Sequence, residues 1–175
     1  MPLSLVQGVP MRPWSLSFAT PLLLALLAGC DEQRAARLEE GYSTEADVRR
    51  TYGEPAQIVE RADGSKRLEY PRQPEGWTNL RVEIGPDGRM SALRQLLTPA
   101  NFAQVQPGQD EAAVRDRLGR PAKVWQFPTR PGEAVWDWRF EEGQVKKVFS
   151  VTFGPDHRVT STAVAEDTRQ ADPGR

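Results

Sequence analysis

The feature that most constrains the fold of this chain is a twelve-residue stretch that occurs twice. Residues 45–56 and 111–122 align without a gap, 66 positions apart, and seven of the twelve positions are identical. A second match follows downstream, where residues 80–89 and 149–158 align 69 positions apart. Internal repetition of this kind predicts two copies of one supersecondary unit in tandem.

Each copy of the twelve-residue stretch has the pattern of a short helix followed by a stop signal. Thr44 and Asp110 stand at the N-cap position, where a side-chain oxygen accepts from a backbone N–H of the first turn. Gly53 and Gly119 come directly after the helix and are predicted to have a positive φ. A proline two positions later prevents each helix from resuming.

The rest of each unit has the pattern of antiparallel strands. Residues 80–84 and 149–153 alternate apolar and polar side chains, and Gly-Pro-Asp follows both runs as a turn. Trp136 and Trp138 also alternate on one strand, so we expect both to lie in the core against the helix. The prediction is an α+β fold of two units, each a helical segment packed on an antiparallel sheet of three or four strands.

The first thirty residues have the pattern of a lipoprotein signal peptide. The apolar run 22–27 is too short to span a bilayer. It leads into Leu27-Ala28-Gly29-Cys30, which resembles the bacterial lipobox, and Cys30 is then the lipidated residue. A plain secretory signal with an incidental cysteine is the alternative. Asp31 and Glu32 resemble an inner-membrane retention signal, and either Met1 or Met11 can serve as the start.

These signals divide the chain into segments. The predicted order is signal peptide 1–30, tether 31–40, first unit 41–97, linker 98–107, second unit 108–165 and flexible tail 166–175. Phe102 and Val105 stand three positions apart in the linker, which predicts a helical turn that docks on the second unit.

Four segments of the second copy resemble the BamE-like (SmpA/OmlA) small lipoprotein domain, here present as a tandem repeat. They are Gly108–Val114, Leu118–Pro121, Trp136–Trp138 and Val151–Asp156. The first copy departs from the motif at Tyr42, at Tyr52 and at Leu68-Glu69-Tyr70. The resemblance covers about residues 41–165, and its motifs are structural rather than catalytic.

The resemblance implies a periplasm-facing accessory of outer-membrane β-barrel assembly or envelope integrity. Its partners would be the outer membrane, reached through the lipid on Cys30, and envelope proteins such as the β-barrel assembly machinery. The overall plan is also similar to that of the β-lactamase inhibitor protein, so a periplasmic inhibitor or binding protein is the alternative. The Asp31-Glu32 pair favours the inner membrane instead.

The residues for most kinds of chemistry are missing from the sequence. The chain has one histidine, His157, in a turn, and Cys30 is its one cysteine, which is too few for a zinc or copper site. No calcium loop, phosphate loop or nucleophile–base spacing occurs. A net charge of −1 gives no reason to expect nucleic-acid binding. We therefore expect no enzyme activity, no metal and no cofactor.

The differences between the two copies indicate where a partner binds. Ile58 and Val124 correspond, so their face of the strand is expected to be structural. Trp125 and Phe127, on the opposite face, replace smaller or charged residues of the first copy, and Trp77 has no counterpart. Large aromatic side chains outside a shared pattern are typical anchors of protein interfaces. Trp77, Trp125 and Phe127 are therefore predicted to bind a partner, with burial of Trp125 and Phe127 against the linker as the alternative.

Overall fold

A computed structural model of the protein describes residues 37–168, and the predicted α+β fold of two units is confirmed. The first unit consists of α1 (Glu45–Tyr52), β1 (Gln57–Glu60), β2 (Lys66–Pro71), β3 (Asn79–Ile84) and β4 (Met90–Gln95). A short helix, α2 (Pro99–Phe102), precedes the second unit. That unit consists of α3 (Glu111–Leu118), β5 (Lys123–Gln126), β6 (Ala134–Glu142), β7 (Val145–Phe153) and β8 (Val159–Glu166).

Both sheets are antiparallel meanders of four strands, in the orders β1-β2-β3-β4 and β5-β6-β7-β8. The sequence predicted three or four strands in each sheet, and each sheet has four. The signal peptide, the lipidation site Cys30 and the sorting residues Asp31 and Glu32 lie outside the described residues. Within 37–168, no helix has both the length and the apolar character needed to cross a bilayer.

The two repeated helices, α1 and α3, begin at the predicted caps. The hydroxyl of Thr44 accepts from the N–H of Asp47, and the Asp47 carboxylate accepts in return from the N–H of Thr44 at 3.0 Å. The hydrogen bonds from this N–H and from the Thr44 hydroxyl lower the pKa of the Asp47 carboxyl to about 2. In the second copy, Asp110 accepts from the N–H of Ala113 at 2.8 Å.

The glycines that follow the two helices have the predicted positive φ. Their ψ lies outside the left-handed helical region. Gly53 has φ 83° and ψ −162°, and Gly119 has φ 73° and ψ −160°. A left-handed helical residue would have a ψ near +45°, whereas this combination is open essentially to glycine alone. Both copies therefore use glycine for the same special backbone conformation.

Each unit has its own hydrophobic core, formed by its helix and three of its four strands. The first core contains Val48, Tyr52, Leu68, Tyr70, Leu80, Val82, Ile84 and Met90. The second contains Leu97, Phe102, Val105, Val114, Leu118, Ala134, Trp136, Trp138, Phe140, Phe149, Val151, Phe153 and Val159. The predictions that the two tryptophans are core residues and that the linker docks on the second unit are therefore confirmed.

The prediction that Ile58 and Val124 form a structural face is wrong. These two side chains remain 42% and 44% exposed. Both belong to four-residue strands at the edge of a sheet, and neither strand contributes a residue to a core. The helix of each unit packs on the other three strands. The side chains of β1 and β5 that point to the helix side of the sheet therefore stay at the margin of the core.

The C-terminal turn of α3 docks on the outer face of the first sheet. The Asn79 side chain is 1% exposed and donates to the carbonyls of Leu118 at 2.7 Å and Arg120 at 2.9 Å. Arg81 donates to the carbonyl of Asp116, and Arg67 pairs with its carboxylate. The last carbonyls of a helix have no partner within it. The first unit therefore supplies the C-terminal cap of the second unit's helix.

A second contact between the units involves the loop 72–78. β5 pairs with β6 only as far as Asp137. Beyond Asp137, the backbone N–H and C=O groups of β6 that point toward the β5 side therefore have no strand partner. The side-chain amide of Gln73 replaces that strand, because it donates to the carbonyl of Arg139 at 2.8 Å and accepts from its N–H at 3.2 Å. The Arg139 guanidinium in turn donates to the carbonyl of Pro74 at 2.7 Å.

Candidate protein-binding surface

The strand β5 lies at the end of the second sheet. Within residues 37–168, β6 is the one strand that pairs with it, so its other edge is open. All four of its residues, Lys123, Val124, Trp125 and Gln126, are exposed, and we call them the β5 edge. An open edge offers a row of backbone N–H and C=O groups with which an extended segment of another chain can pair.

Trp125 is both exposed and fixed in position. Its side chain is 40% exposed, while its indole Nε1 donates to the carboxylate of Asp137 at 2.7 Å. The hydroxyl of Ser150 donates to the other Asp137 oxygen at 2.6 Å, and Lys123 Nζ lies 3.4 Å from the Trp125 ring centroid. A side chain held in this way loses little further entropy when a partner covers it.

Phe127 lies just beyond the β5 edge and on its other side. The alternation predicted that it shares a face with Trp125. Pairing of the strand ends at Gln126, however, and Phe127 lines a groove together with Val124. The ring is half-buried, and Arg130 Cζ lies 4.3 Å from its centroid. Two of the predicted anchors therefore flank the same strand from opposite faces.

Trp77, the third predicted anchor, contacts the second unit of its own chain. Arg139 Cζ lies 3.9 Å and Lys146 Nζ 5.1 Å from its ring centroid. The side chain is half-buried and belongs to the loop whose Gln73 binds the edge of β6. The structure thus places Trp77 between the two units.

A groove of about 690 Å³ lies between α3, the β5 edge and the turn that carries His157. We call it the Arg115 groove. Its lining includes Glu111, Arg115, Val124, Phe127, Ala134, Trp136 and His157. The Arg115 guanidinium lies over the Trp136 ring, with Cζ 4.7 Å from the centroid. Glu133 also lines the groove and pairs with Arg130 at 3.0 Å. The groove thus combines apolar wall with the Arg115 guanidinium and the carboxylates of Glu111 and Glu133.

His157 occupies the turn that the sequence predicted, at the position of Gly88 in the first copy. Its φ of 58° is uncommon for a residue with a side chain. Its Nδ1 lies 2.9 Å from a carboxylate oxygen of Glu111, a contact that the sequence did not predict. Within the described part of the chain, no three His, Cys, Asp or Glu side chains are placed to hold a metal ion.

Comparisons with known proteins leave the family open. No protein-family model and no curated protein matches the chain. One similar solved structure is a "Putative Osmotically inducible lipoprotein OsmE", 13% identical with a TM-score of 0.35, covering 43% of this chain and 86% of that one. Another is a DUF4309 family protein (YjgB) from Bacillus subtilis subsp. subtilis str. 168, 19% identical with a TM-score of 0.32, covering 77% and 86%. At these TM-scores neither likeness carries an argument about function, and the BamE-like family remains a resemblance of sequence motifs.

Proposed function

We propose that this protein is a lipid-anchored lipoprotein of the cell envelope that binds other proteins through the β5 edge. The observation that supports this most is an exposed, pre-positioned tryptophan on a strand with one unpaired edge. Tryptophan is strongly enriched among the residues that dominate binding energy. Natural proteins also protect most edge strands from pairing, so one that displays Val124 and Trp125 fits a docking site.

The motif resemblance favours a role in outer-membrane β-barrel assembly or envelope integrity, with binding rather than catalysis as the activity. A periplasmic inhibitor in the style of the β-lactamase inhibitor protein is the second candidate, favoured by the two-unit plan. Affinity capture from solubilised envelopes separates the two roles. Recovery of β-barrel assembly subunits supports the first, and recovery of one soluble enzyme supports the second.

Trp125→Ala combined with Phe127→Ala is expected to weaken partner capture by about tenfold or more, because truncation of an interface anchor costs at least ~2 kcal/mol. Quantitative mass spectrometry of captured proteins provides the measurement. Val59→Ala is the matched control, since Val59 holds the position of Trp125 on β1 and is also exposed. The melting temperature of the double variant should stay close to that of the wild type. Unchanged capture, or melting as early as a core variant, would remove this surface from the proposal.

Lipidation of Cys30 is the proposed means of anchoring. Intact-mass analysis of protein extracted from envelopes should show a chain that begins at Cys30 and carries added acyl mass. Cys30→Ser should yield a chain without that mass, and an unmodified wild-type chain would contradict the assignment. The resemblance favours the outer membrane and the Asp31-Glu32 pair the inner one, so density-gradient fractionation of Asp31→Ser against wild type decides between them.

A further inference from the structure

In the first unit, four charged side chains form a chain of ion pairs beside the helix. Two nitrogens of the Arg49 guanidinium donate to one oxygen of Glu45, at 2.9 and 2.7 Å. Arg49 also pairs with Glu54, and Lys66 Nζ lies 3.0 Å from the other Glu45 oxygen. The hydrogen bond from Arg49 lowers the pKa of the Glu45 carboxyl. Each cation in this network is therefore matched by a carboxylate of the same unit.

The second unit keeps the arginine but not its ion pairs. Arg115 corresponds to Arg49, but Arg120 stands where the first copy has Glu54. Strand pairing shows a further change, because Lys66 lies opposite Glu60 whereas Ala134 lies opposite Gln126, the equivalent position. A methyl group thus replaces a long ammonium side chain, which leaves space in the groove.

The counterpart of Glu45 in the second unit, Glu111, contacts a different residue. Glu111 corresponds to Glu45, and its carboxylate oxygen lies 2.9 Å from Nδ1 of His157, at a turn position where the first copy has Gly88 and hence no side chain. No ion pair joins Arg115 to a carboxylate of residues 37–168. Among residues 37–168, Arg115 therefore has no carboxylate within ion-pair distance. Its guanidinium lies over the face of Trp136 in a groove of about 690 Å³ that Glu111 and Glu133 also line.

The chemistry of a ligand for this groove follows from these features. A guanidinium presents its donors as a planar fork that matches a carboxylate, which makes such pairs geometrically specific. Val124, Phe127 and Trp136 supply apolar wall beside it. The β5 edge borders the same groove, so a chain paired with β5 would direct alternate side chains toward Arg115 and toward Trp125.

We propose that the β5 edge and the Arg115 groove together bind one extended, acidic segment of a partner protein. The backbone of that segment pairs with β5, a glutamate or aspartate side chain binds Arg115, and a neighbouring apolar side chain rests on the groove wall. Main-chain pairing supplies affinity and the groove supplies the preference for an acidic sequence. The inference deepens the proposed function and depends on the β5 edge being a binding surface.

A pair of synthetic peptides tests the inference on the detergent-solubilised mature protein. Both are eight residues long, acetylated and amidated, with alternating valine and threonine and one central position that is glutamate in one peptide and glutamine in the other. The glutamate peptide should bind the wild type about tenfold more tightly than the glutamine peptide, as expected for a hydrogen bond to a charged group. Arg115→Gln should remove that difference, and hydrogen exchange of the β5 amides should slow when the glutamate peptide is bound.

Several outcomes would overturn the inference. They are equal binding of the two peptides, a difference that persists in Arg115→Gln, and no binding of either peptide. Arg115→Lys keeps the charge without the planar fork and should retain part of the preference, which separates recognition from misfolding. If Trp125→Ala with Phe127→Ala lowers envelope capture while Arg115→Gln does not, the proposed function stands and the acidic anchor fails.

Discussion

Replacing Trp138 by alanine is expected to lower the free energy of unfolding by about 3–5 kcal/mol. Trp138 is fully buried, and its ring centroid lies 6.0 Å from that of Trp136 and 6.5 Å from that of Phe149. Its indole Nε1 also donates to the carbonyl of Gly119 at 3.1 Å. The truncation therefore opens a large cavity and leaves a buried carbonyl without its donor, at the point where α3 ends.

Urea denaturation followed by circular dichroism measures this loss, provided that the slope of the transition stays unchanged. Trp138→Phe keeps an aromatic ring and loses the N–H donor, so it should cost less than the alanine variant. Trp125→Ala is the matched control, because it truncates the same side chain at an exposed position. A loss below about 1.5 kcal/mol for Trp138→Ala would show that the core does not depend on this ring.

Much of the fold could be predicted because it depends on short-range patterns. A capping oxygen, a glycine stop and a proline act within a few residues, so the ends of α1 and α3 follow from residues 44–55 and 110–121. Alternation also identified Trp136 and Trp138 as inward-facing. It could not show whether an edge strand is covered, which is why the expectation for Ile58 and Val124 failed.

The contacts between the units depend on groups that are far apart in the sequence. The Gln73 side-chain amide hydrogen-bonds to the backbone of Arg139, 66 positions away, as a neighbouring strand would. No local sequence pattern predicts that contact. Trp77 is an aromatic residue without a counterpart in the second copy, and its binding to a partner stays a prediction. Its contact with Arg139 shows that such a residue can serve the joint between two copies as well as an external partner.

The candidate site was predicted in part. Divergence between the copies pointed to Trp125 and Phe127, whereas Arg115 was missed because its own identity is the same in both copies. The informative changes are in its surroundings, at Arg120 and His157, and the sequence shows both. The correspondence of Lys66 with Ala134 became clear only from the strand register, since insertions shift the alignment between the two matching segments.

Gly119→Val is expected to lower the free energy of unfolding by about 2–6 kcal/mol, more than the same change at Gly53. Both glycines have a backbone conformation that costs other residues on the order of 1–3 kcal/mol. Their surroundings differ, because a Cβ at Gly53 would meet no atom within 4 Å, while one at Gly119 would lie 3.1 Å from Asn79 Nδ2 and 3.4 Å from Leu96 Cδ1. Crowding of that kind adds a further ~1–3 kcal/mol.

The comparison of the two variants separates backbone strain from the joint between the units. Gly53→Val reports strain alone, and the additional loss in Gly119→Val reports displacement of Asn79, whose amide caps α3 through Leu118 and Arg120. Asn79→Ala should therefore cost less in the Gly119→Val background than in the wild type, which a double-mutant cycle in urea measures. Equal losses of unfolding free energy for the two valine variants would mean that displacing the contact of α3 with the first sheet does not lower the stability. An unchanged stability of Gly119→Val would show that the helix does not end at this residue.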